Sequence, residues 1–159
     1  MSGQVYVVGL ISDTHGLLRP EVAAIFAGVD LIVHAGDVGG AAVLAALRRI
    51  APVEAVWGNV DDTHDPSLAR ERVLPIGELT LLVCHGHELG SPTPELLLDR
   101  YDADVVVFGH THRAVVTRRD GRMAVNPGAA GPRRFDLRPS VARLTVEGRR
   151  ADVEIISLG

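Results

Sequence analysis

Short apolar runs alternate with helix-like patterns along residues 5–112. The first run, Val5–Ser12, predicts a buried strand. The segment Pro20–Gly28 predicts a short helix, because proline suits the first helical turn and glycine the position after the last. The alternation continues with a strand at Leu31–Ala35 and a helix at Gly40–Ile50. Further elements are predicted as strands at residues 53–59, 72–77 (an edge strand), 79–86 and 104–110, and as a helix at Thr93–Tyr101.

The pattern changes after His112. Residues 114–126 and 141–157 predict two β-hairpins, one turning at an Asp-Gly pair and the other at a Glu-Gly pair. Strand–helix alternation followed by hairpins indicates an α/β fold, in which a mostly parallel sheet packs against a second, mixed sheet with helices outside. The chain has no linker, low-complexity tract or repeat, so a single domain over residues 1–159 is expected.

The composition is that of a soluble globular protein, with 47% hydrophobic and 23% charged residues. Its apolar runs are far shorter than the roughly 20 residues of a membrane helix, so no membrane association is expected. The N-terminal stretch lacks a basic leader and favours a first strand over a signal peptide. The only cysteine, Cys84, excludes an internal disulfide and fits a cytoplasmic location.

The net charge of −4 argues against a general nucleic-acid binder, so no stable nucleic-acid binding is expected. The charge is unevenly distributed, because residues 113–159 carry 10 Arg and five acidic residues. A basic region of this kind helps to attract an anionic substrate, although genome composition alone also explains a chain whose basic residues are all Arg.

Polar side chains follow the C-terminal ends of five apolar strands. In α/β sheets this rim is where ligands bind, so five loops are expected to deliver seven oxygen and nitrogen donors to one place. The candidate metal ligands are Asp13, His15, Asp37, Asn59, His85, His110 and His112.

The spacing of these residues supports convergence. Asp13/His15 and His110/His112 are i, i+2 pairs, and in extended chain such side chains point the same way, about 7 Å apart. A glycine directly precedes Asp37, Asn59 and His110, where it allows sharp turns and close backbone approach.

The donor types narrow the choice of metal. Because no thiolate is present, a closed structural zinc site is not expected, whereas carboxylate, imidazole and amide oxygen suit Mn²⁺, Fe²⁺ or Zn²⁺. Seven donors fit two divalent ions that share Asp37 as a bridge, with positions left for water. Mn²⁺ is the first choice, with Ni²⁺ and Mg²⁺ also open. Such a cationic site favours a small phosphoester substrate.

The motifs "DTHG", "GD", "GNVD", "HGH" and "GHTH", in this order, resemble the calcineurin-like metallophosphoesterase superfamily. The short chain and the segment "NPGAAGPRR" are similar to its small bacterial and archaeal phosphodiesterase branch, which is related to the retromer scaffold subunit. The resemblance implies a four-layer α/β/β/α sandwich of two mixed sheets flanked by helices, and in-line attack on phosphorus by a metal-bridging hydroxide. It assigns Asp13, His15 and His112 to one metal, Asn59, His85 and His110 to the other, and Asp37 to both.

One position departs from the pattern of many members, where histidine follows the asparagine and protonates the leaving group. Here that residue is Val60, which leaves His64 and His87 as the spare imidazoles nearby. His87 and Asn59 are the candidate catalytic residues, with support of a ligand as the alternative role for His87 and a solvated loop position expected for His64. His34, inside its strand, is expected to be a buried, hydrogen-bonded histidine.

Three functions follow for this chain. A metal-dependent phosphodiesterase ranks first, because the ligand set is complete. A phosphomonoesterase or pyrophosphatase would use the same site, and a non-catalytic protein-binding scaffold would not require it. The substrate and the oligomeric state, including a homo-oligomer, stay open.

Overall fold

The computed structural model describes residues 4–134 and 136–159. Residues 1–3 and 135, which the predicted domain includes, lie outside the described residues, and the single-domain assignment stays a prediction. The strands of the described chain are β1 (Val5–Ile11), β2 (Leu31–His34), β3 (Val53–Ala55), β4 (Glu71–Ile76), β5 (Leu79–Cys84), β6 (Val105–Val107), β7 (Val115–Arg119), β8 (Arg122–Asn126), β9 (Ser140–Glu147) and β10 (Arg150–Ser157). The helices are α1 (Glu21–Ile25), α2 (Ala41–Arg48) and α3 (Pro94–Arg100), with a 3-10 turn at His87–Leu89.

The strands form two five-stranded sheets, in the orders β10-β9-β1-β2-β3 and β4-β5-β6-β8-β7. Both are mixed, which confirms the two mixed sheets that the resemblance implies and corrects the mostly parallel sheet expected from strand–helix alternation alone. The two hairpins join different sheets: β9 pairs antiparallel with β1, whereas β8 pairs parallel with β6. Each hairpin buries an apolar face between the sheets, through Leu144 and Val146 in one and Met123 and Val125 in the other.

Apolar contacts fall into three layers. The central layer lies between the two sheets and includes Leu10 of β1 and Leu81 of β5. A second layer packs α1 and α2 on the outer face of the first sheet around Phe26, and a third packs α3 on the outer face of the second sheet around Phe108. This arrangement confirms the α/β/β/α sandwich.

A helix cap and a hairpin turn form where the chemistry of their residues favours them. The Thr93 side chain caps α3 by accepting a hydrogen bond from the backbone N–H of Leu96 at 3.2 Å. Asp120 and Gly121 both have positive φ, which is what a two-residue hairpin turn needs. β3 ends at Ala55 and not at 59, so the chain leaves the sheet before it reaches Asn59. Among the described residues, no helix has both the length and the apolar character that crossing a bilayer requires.

Candidate metal centre

The loops after β1, β2, β3, β5 and β6 meet at one rim and bring all seven predicted ligands together. Two groups form there, within each of which one donor atom per residue lies within 4.8 Å of the others. The first group is Asp13, His15 and His112, and the second is Asp37, His85 and His110. These are the same sets that the motif resemblance implies, with Asn59 still to be placed.

Asn59 lies against the second group. One terminal atom of its amide is 3.1 Å from Oδ2 of Asp37, 3.2 Å from Nε2 of His85 and 3.3 Å from Nδ1 of His110. A 180° rotation of the amide exchanges its oxygen and nitrogen at this position. The nitrogen would donate hydrogen bonds to these neighbours, whereas the oxygen completes a set of lone pairs that point at one cation.

The two groups touch through Asp37. Its Oδ2 lies 3.3 Å from Nε2 of His85 in its own group and 3.6 Å from Nε2 of His15 in the other. Asp13 Oδ1 similarly lies 3.4 Å from Nε2 of His112 and 3.8 Å from Nε2 of His85. Each carboxylate therefore lies within 4 Å of histidines of both groups, and the motif resemblance assigns the bridge to Asp37.

The backbone of these loops is strained at the candidate ligands. Six non-glycine residues of the described chain have positive φ, and all but Asp120 belong to the site. Asp13 and His15 have φ of 53° and 47°, and His110 and His112 have 74° and 64°. The expectation that these pairs converge along extended chain is therefore wrong, because left-handed turns aim the side chains instead. Strain of this kind persists where the surroundings fix it and concentrates at functional sites.

Close packing of glycines supports these turns. A Cβ on Gly58 would meet the Asp37 side chain, and one on Gly109 would meet Ser12 and the Asp13 carboxylate. The expected close approach of these glycines is confirmed, and a side chain at either position would displace a candidate ligand.

Hydrogen bonds fix the direction of several donors. His85 Nδ1 lies 2.8 Å from the carbonyl oxygen of Ala35, so this nitrogen carries the proton and Nε2 presents its lone pair to the cluster. Asp13 Oδ2 accepts from the Ser12 hydroxyl at 2.6 Å and from the backbone N–H of His110 at 3.2 Å. Its other oxygen, Oδ1, remains free to face the histidines.

The electrostatics of the cluster favour a cation. Burial opposes ionisation of Asp13, but the adjacent imidazoles of His112 and His15 outweigh it and hold the pKa of this carboxyl far below its usual range. Burial likewise opposes ionisation of Asp37, yet the adjacent imidazole of His85 lowers the pKa of Asp37. Oδ1 of Asp13 and Nε2 of His15 are buried without a hydrogen-bond partner. Ionised carboxylates and unpartnered lone pairs that face one another fit divalent metal ions.

The main supporting residue is Asp61, two positions after Asn59. Its carboxylate accepts backbone N–H bonds from Val38 at 3.0 Å, Gly39 at 3.1 Å and Gly58 at 2.9 Å. It therefore joins the loop that carries Asp37 to the loop that carries Asn59.

A second support, from Asn126 in the "NPG" segment, was missed. Its amide donates to the carbonyl of Gly109 at 3.2 Å and to the hydroxyl of Thr111 at 3.1 Å, which ties β8 to the His110/His112 loop. The only sequence signal was the turn-forming Pro-Gly that follows it, and a turn does not reveal this contact.

The remaining histidines separate by environment. His34 is fully buried, accepts the N–H of Gly36 at Nδ1 and lies 3.0 Å from the Thr14 hydroxyl through Nε2, which confirms a buried, hydrogen-bonded histidine. His64 has a side chain that is 94% exposed, as predicted. His87 lies beside the second group, with its ring centroid 5.3 Å from that of His85 and its Nδ1 buried without a hydrogen-bond partner.

The chain is similar to known proteins over nearly its whole length. Residues 7–149 match the family model described as the calcineurin-like phosphoesterase superfamily domain. A probable metallophosphoesterase from Methanothermobacter thermautotrophicus is 36% identical, and the match covers 96% of this chain and 93% of that protein. A phosphodiesterase from Methanocaldococcus jannaschii is 27% identical over 76% of this chain and 82% of its own length. Vacuolar protein sorting 29 from Cryptosporidium parvum has a similar fold, with a TM-score of 0.81, 23% identity and coverage of 99% of this chain and 100% of that chain.

Proposed function

Because the chain belongs to the calcineurin-like phosphoesterase superfamily, we propose that it is a phosphodiesterase that depends on two divalent cations. The observation that carries the proposal is the pair of adjoining ligand groups that share Asp37. A carboxylate within reach of both groups is what a two-ion site requires, and two-ion sites suit displacement at phosphorus.

Each group would hold one ion. Asp13, His15 and His112 offer one carboxylate and two imidazoles to the first ion. The second ion would take His85, His110 and the oxygen of Asn59, with Asp37 between the two. The donor set contains no sulfur and favours Mn²⁺, with Fe²⁺, Zn²⁺, Ni²⁺ and Mg²⁺ as alternatives. Bound there, the ions would supply an activated water molecule and neutralise the phosphoryl oxygens.

The surroundings of the cluster suit an anion. A cavity of about 260 Å³ opens at His110 and His112 and is also lined by Arg113 and Arg134. Within the described residues neither guanidinium forms a hydrogen bond or ion pair, so both remain available to phosphoryl oxygens. Arginine binds phosphate through a planar set of N–H donors, which would orient the phosphoryl group against the cluster.

The site has Val60 at the position where many members of the superfamily have a histidine that protonates the leaving group. Val60 is 54% exposed beside Asn59 and has no proton to give. His87 is the imidazole that lies beside the second group, and we assign it and Asn59 to contact with the substrate. Without a dedicated acid, esters whose alcohols ionise readily should be the better substrates.

Turnover with added metal tests the proposal. The metal-free protein is loaded with Mn²⁺ and assayed against bis(p-nitrophenyl) phosphate and p-nitrophenyl phosphate. We expect hydrolysis of the diester at the higher kcat/KM, loss of at least 100-fold in kcat for Asp37→Asn, and no change for His64→Gln, which alters an exposed imidazole outside the site. A higher rate on the monoester would favour a phosphomonoesterase, and no turnover of either with any of the five metals would refute the enzymatic assignment.

A further inference from the structure

A second cavity adjoins the metal centre and has a different character. Its volume is about 540 Å³, within the range of small-molecule sites, and it shares Thr111, Arg113 and Leu137 with the cavity at the metal centre. The two cavities therefore lie side by side, and candidate metal ligands line the first of them.

The lining of the second cavity is mostly apolar. Its lining comes from the loop before α3, the start of β7 and Leu137, with the buried Phe108 beneath them. The apolar lining residues are Pro92, Pro94, Phe108, Ala114, Val115 and Leu137. Arg113, at the junction, is the one charged residue among the lining residues.

Local contacts hold this wall in place. Phe108 is fully buried and packs into the layer beneath α3, and Val115 packs against the same layer. Leu137, which lines both cavities, donates its backbone N–H to the carbonyl of Arg134 at 3.0 Å, which ties it to the arginine that lines the cavity at the metal centre. A preformed apolar wall next to two unpaired guanidinium groups matches a molecule with one anionic and one apolar end.

We propose that this second cavity binds an apolar ester arm of a phosphodiester whose phosphoryl group lies at the metal centre. The inference rests on the proposed function and defines its substrate class as diesters with at least one aromatic or aliphatic arm. This substrate class also agrees with the lack of a general acid at position 60, which is Val60, because aryl alcohols are good leaving groups that need less help from a general acid. Arg113 would hold the phosphoryl group at the boundary between the two ends.

Binding of two phosphonates to the Mn²⁺-loaded protein tests the inference without requiring turnover. Phenylphosphonate and methylphosphonate share the anionic group and differ in the arm, so calorimetry isolates the cavity. Burial of most of a phenyl ring should make phenylphosphonate bind about tenfold more tightly. Ala114→Trp, which fills the cavity from an exposed position, should bring the ratio of the two dissociation constants close to one.

Two further variants keep the test decisive. Ser91→Trp fills the same cavity from another exposed lining position, in case Ala114→Trp fails to fold. Val116→Trp makes the same change at an exposed neighbour that does not line the cavity and should leave the ratio unchanged. Arg113→Gln should weaken both phosphonates similarly, since it faces the shared anionic group.

The outcomes separate this inference from the proposed function. Equal affinity for the two phosphonates, or a preference that survives both cavity-filling variants, would overturn the inference even in a protein that hydrolyses diesters. If filling the cavity abolished self-association and left the ratio of the two dissociation constants unchanged, the cavity would bind a second copy of the chain. That result would also overturn the inference. A tenfold preference lost only in the cavity variants would support the inference, even if no ester were hydrolysed and the proposed function failed.

Discussion

Removal of the Asp61 carboxylate should weaken both the fold and the metal centre. This side chain accepts three backbone N–H bonds and joins the loop of Asp37 to the loop of Asn59. In Asp61→Ala all three donors lose their partner. In Asp61→Asn the oxygen can keep two of them, but an NH₂ group then faces the N–H of Gly39.

The magnitude follows from how exposed these bonds are. Hydrogen bonds to a charged acceptor contribute about 1.5–3 kcal/mol each when buried, but here two are half-buried and the third is exposed, so water replaces part of the loss. We therefore expect Asp61→Ala to cost about 3 kcal/mol. For a chain of this length that corresponds to a fall of roughly 6–12 °C in Tm. Support of metal ligands by outer hydrogen bonds is typically worth about 10–100-fold in metal affinity.

Thermal unfolding followed by circular dichroism, together with calorimetric titration of Mn²⁺ into the metal-free protein, measures both effects. Asp62→Ala is the matched control, because it removes the same charge one residue away, where the carboxylate contacts His64 in an exposed loop. The Tm and the Mn²⁺ affinity of Asp61→Asn should lie between those of Asp61→Ala and of the unaltered protein. If Asp61→Ala matched Asp62→Ala in both Tm and Mn²⁺ affinity, the role assigned to Asp61 would be refuted.

Other predictions concern packing, protonation and metal. Gly109→Ala should cost about 1–3 kcal/mol, measured by urea unfolding, because the new methyl meets Ser12 and the Asp13 carboxylate; an unchanged midpoint would contradict that packing. Burial lowers the pKa of His34 to about 4 from 6.5, so only the unfolded chain takes up this proton as the pH falls between those values. The metal-free protein should lose up to about 3 kcal/mol of stability between these pH values through His34. The stability of His34→Asn should fall less over the same range, and an identical pH dependence of stability in both proteins would contradict this role of His34. Chelation by EDTA should lower Tm by several degrees and re-addition of Mn²⁺ should restore it, whereas an unchanged melting curve would count against bound ions.

The candidate ligands could be found from sequence because each follows an apolar run. Strand ends of parallel neighbours share one rim, so polar residues after β1 and β2 are predicted to converge, as are those after β5 and β6. The sequence pattern does not show that the rims of the two sheets meet. The sequence also predicted the first hairpin turn, because Asp120-Gly121 tolerates the positive φ that such a turn needs.

Other features depend on contacts that a linear pattern does not record. β9 pairs with β1 from the far end of the chain, and no local signal indicates which sheet a hairpin will join. The left-handed backbone at Asp13 and His110 is uncommon for residues other than glycine, and the i, i+2 spacing alone does not indicate it. The contacts of Asp61 and the lining of the apolar cavity each bring together loops that are distant in sequence. Each of these loops contributes too few residues to form a motif.

Anomalous diffraction at the manganese edge, from crystals grown with Mn²⁺, tests the central claim most directly. We expect two peaks roughly 3.5–4 Å apart, one among Asp13, His15 and His112 and the other among Asn59, His85 and His110, with Asp37 in contact with both. A single peak, or two peaks without a shared carboxylate, would contradict the two-ion centre from which the proposed chemistry follows.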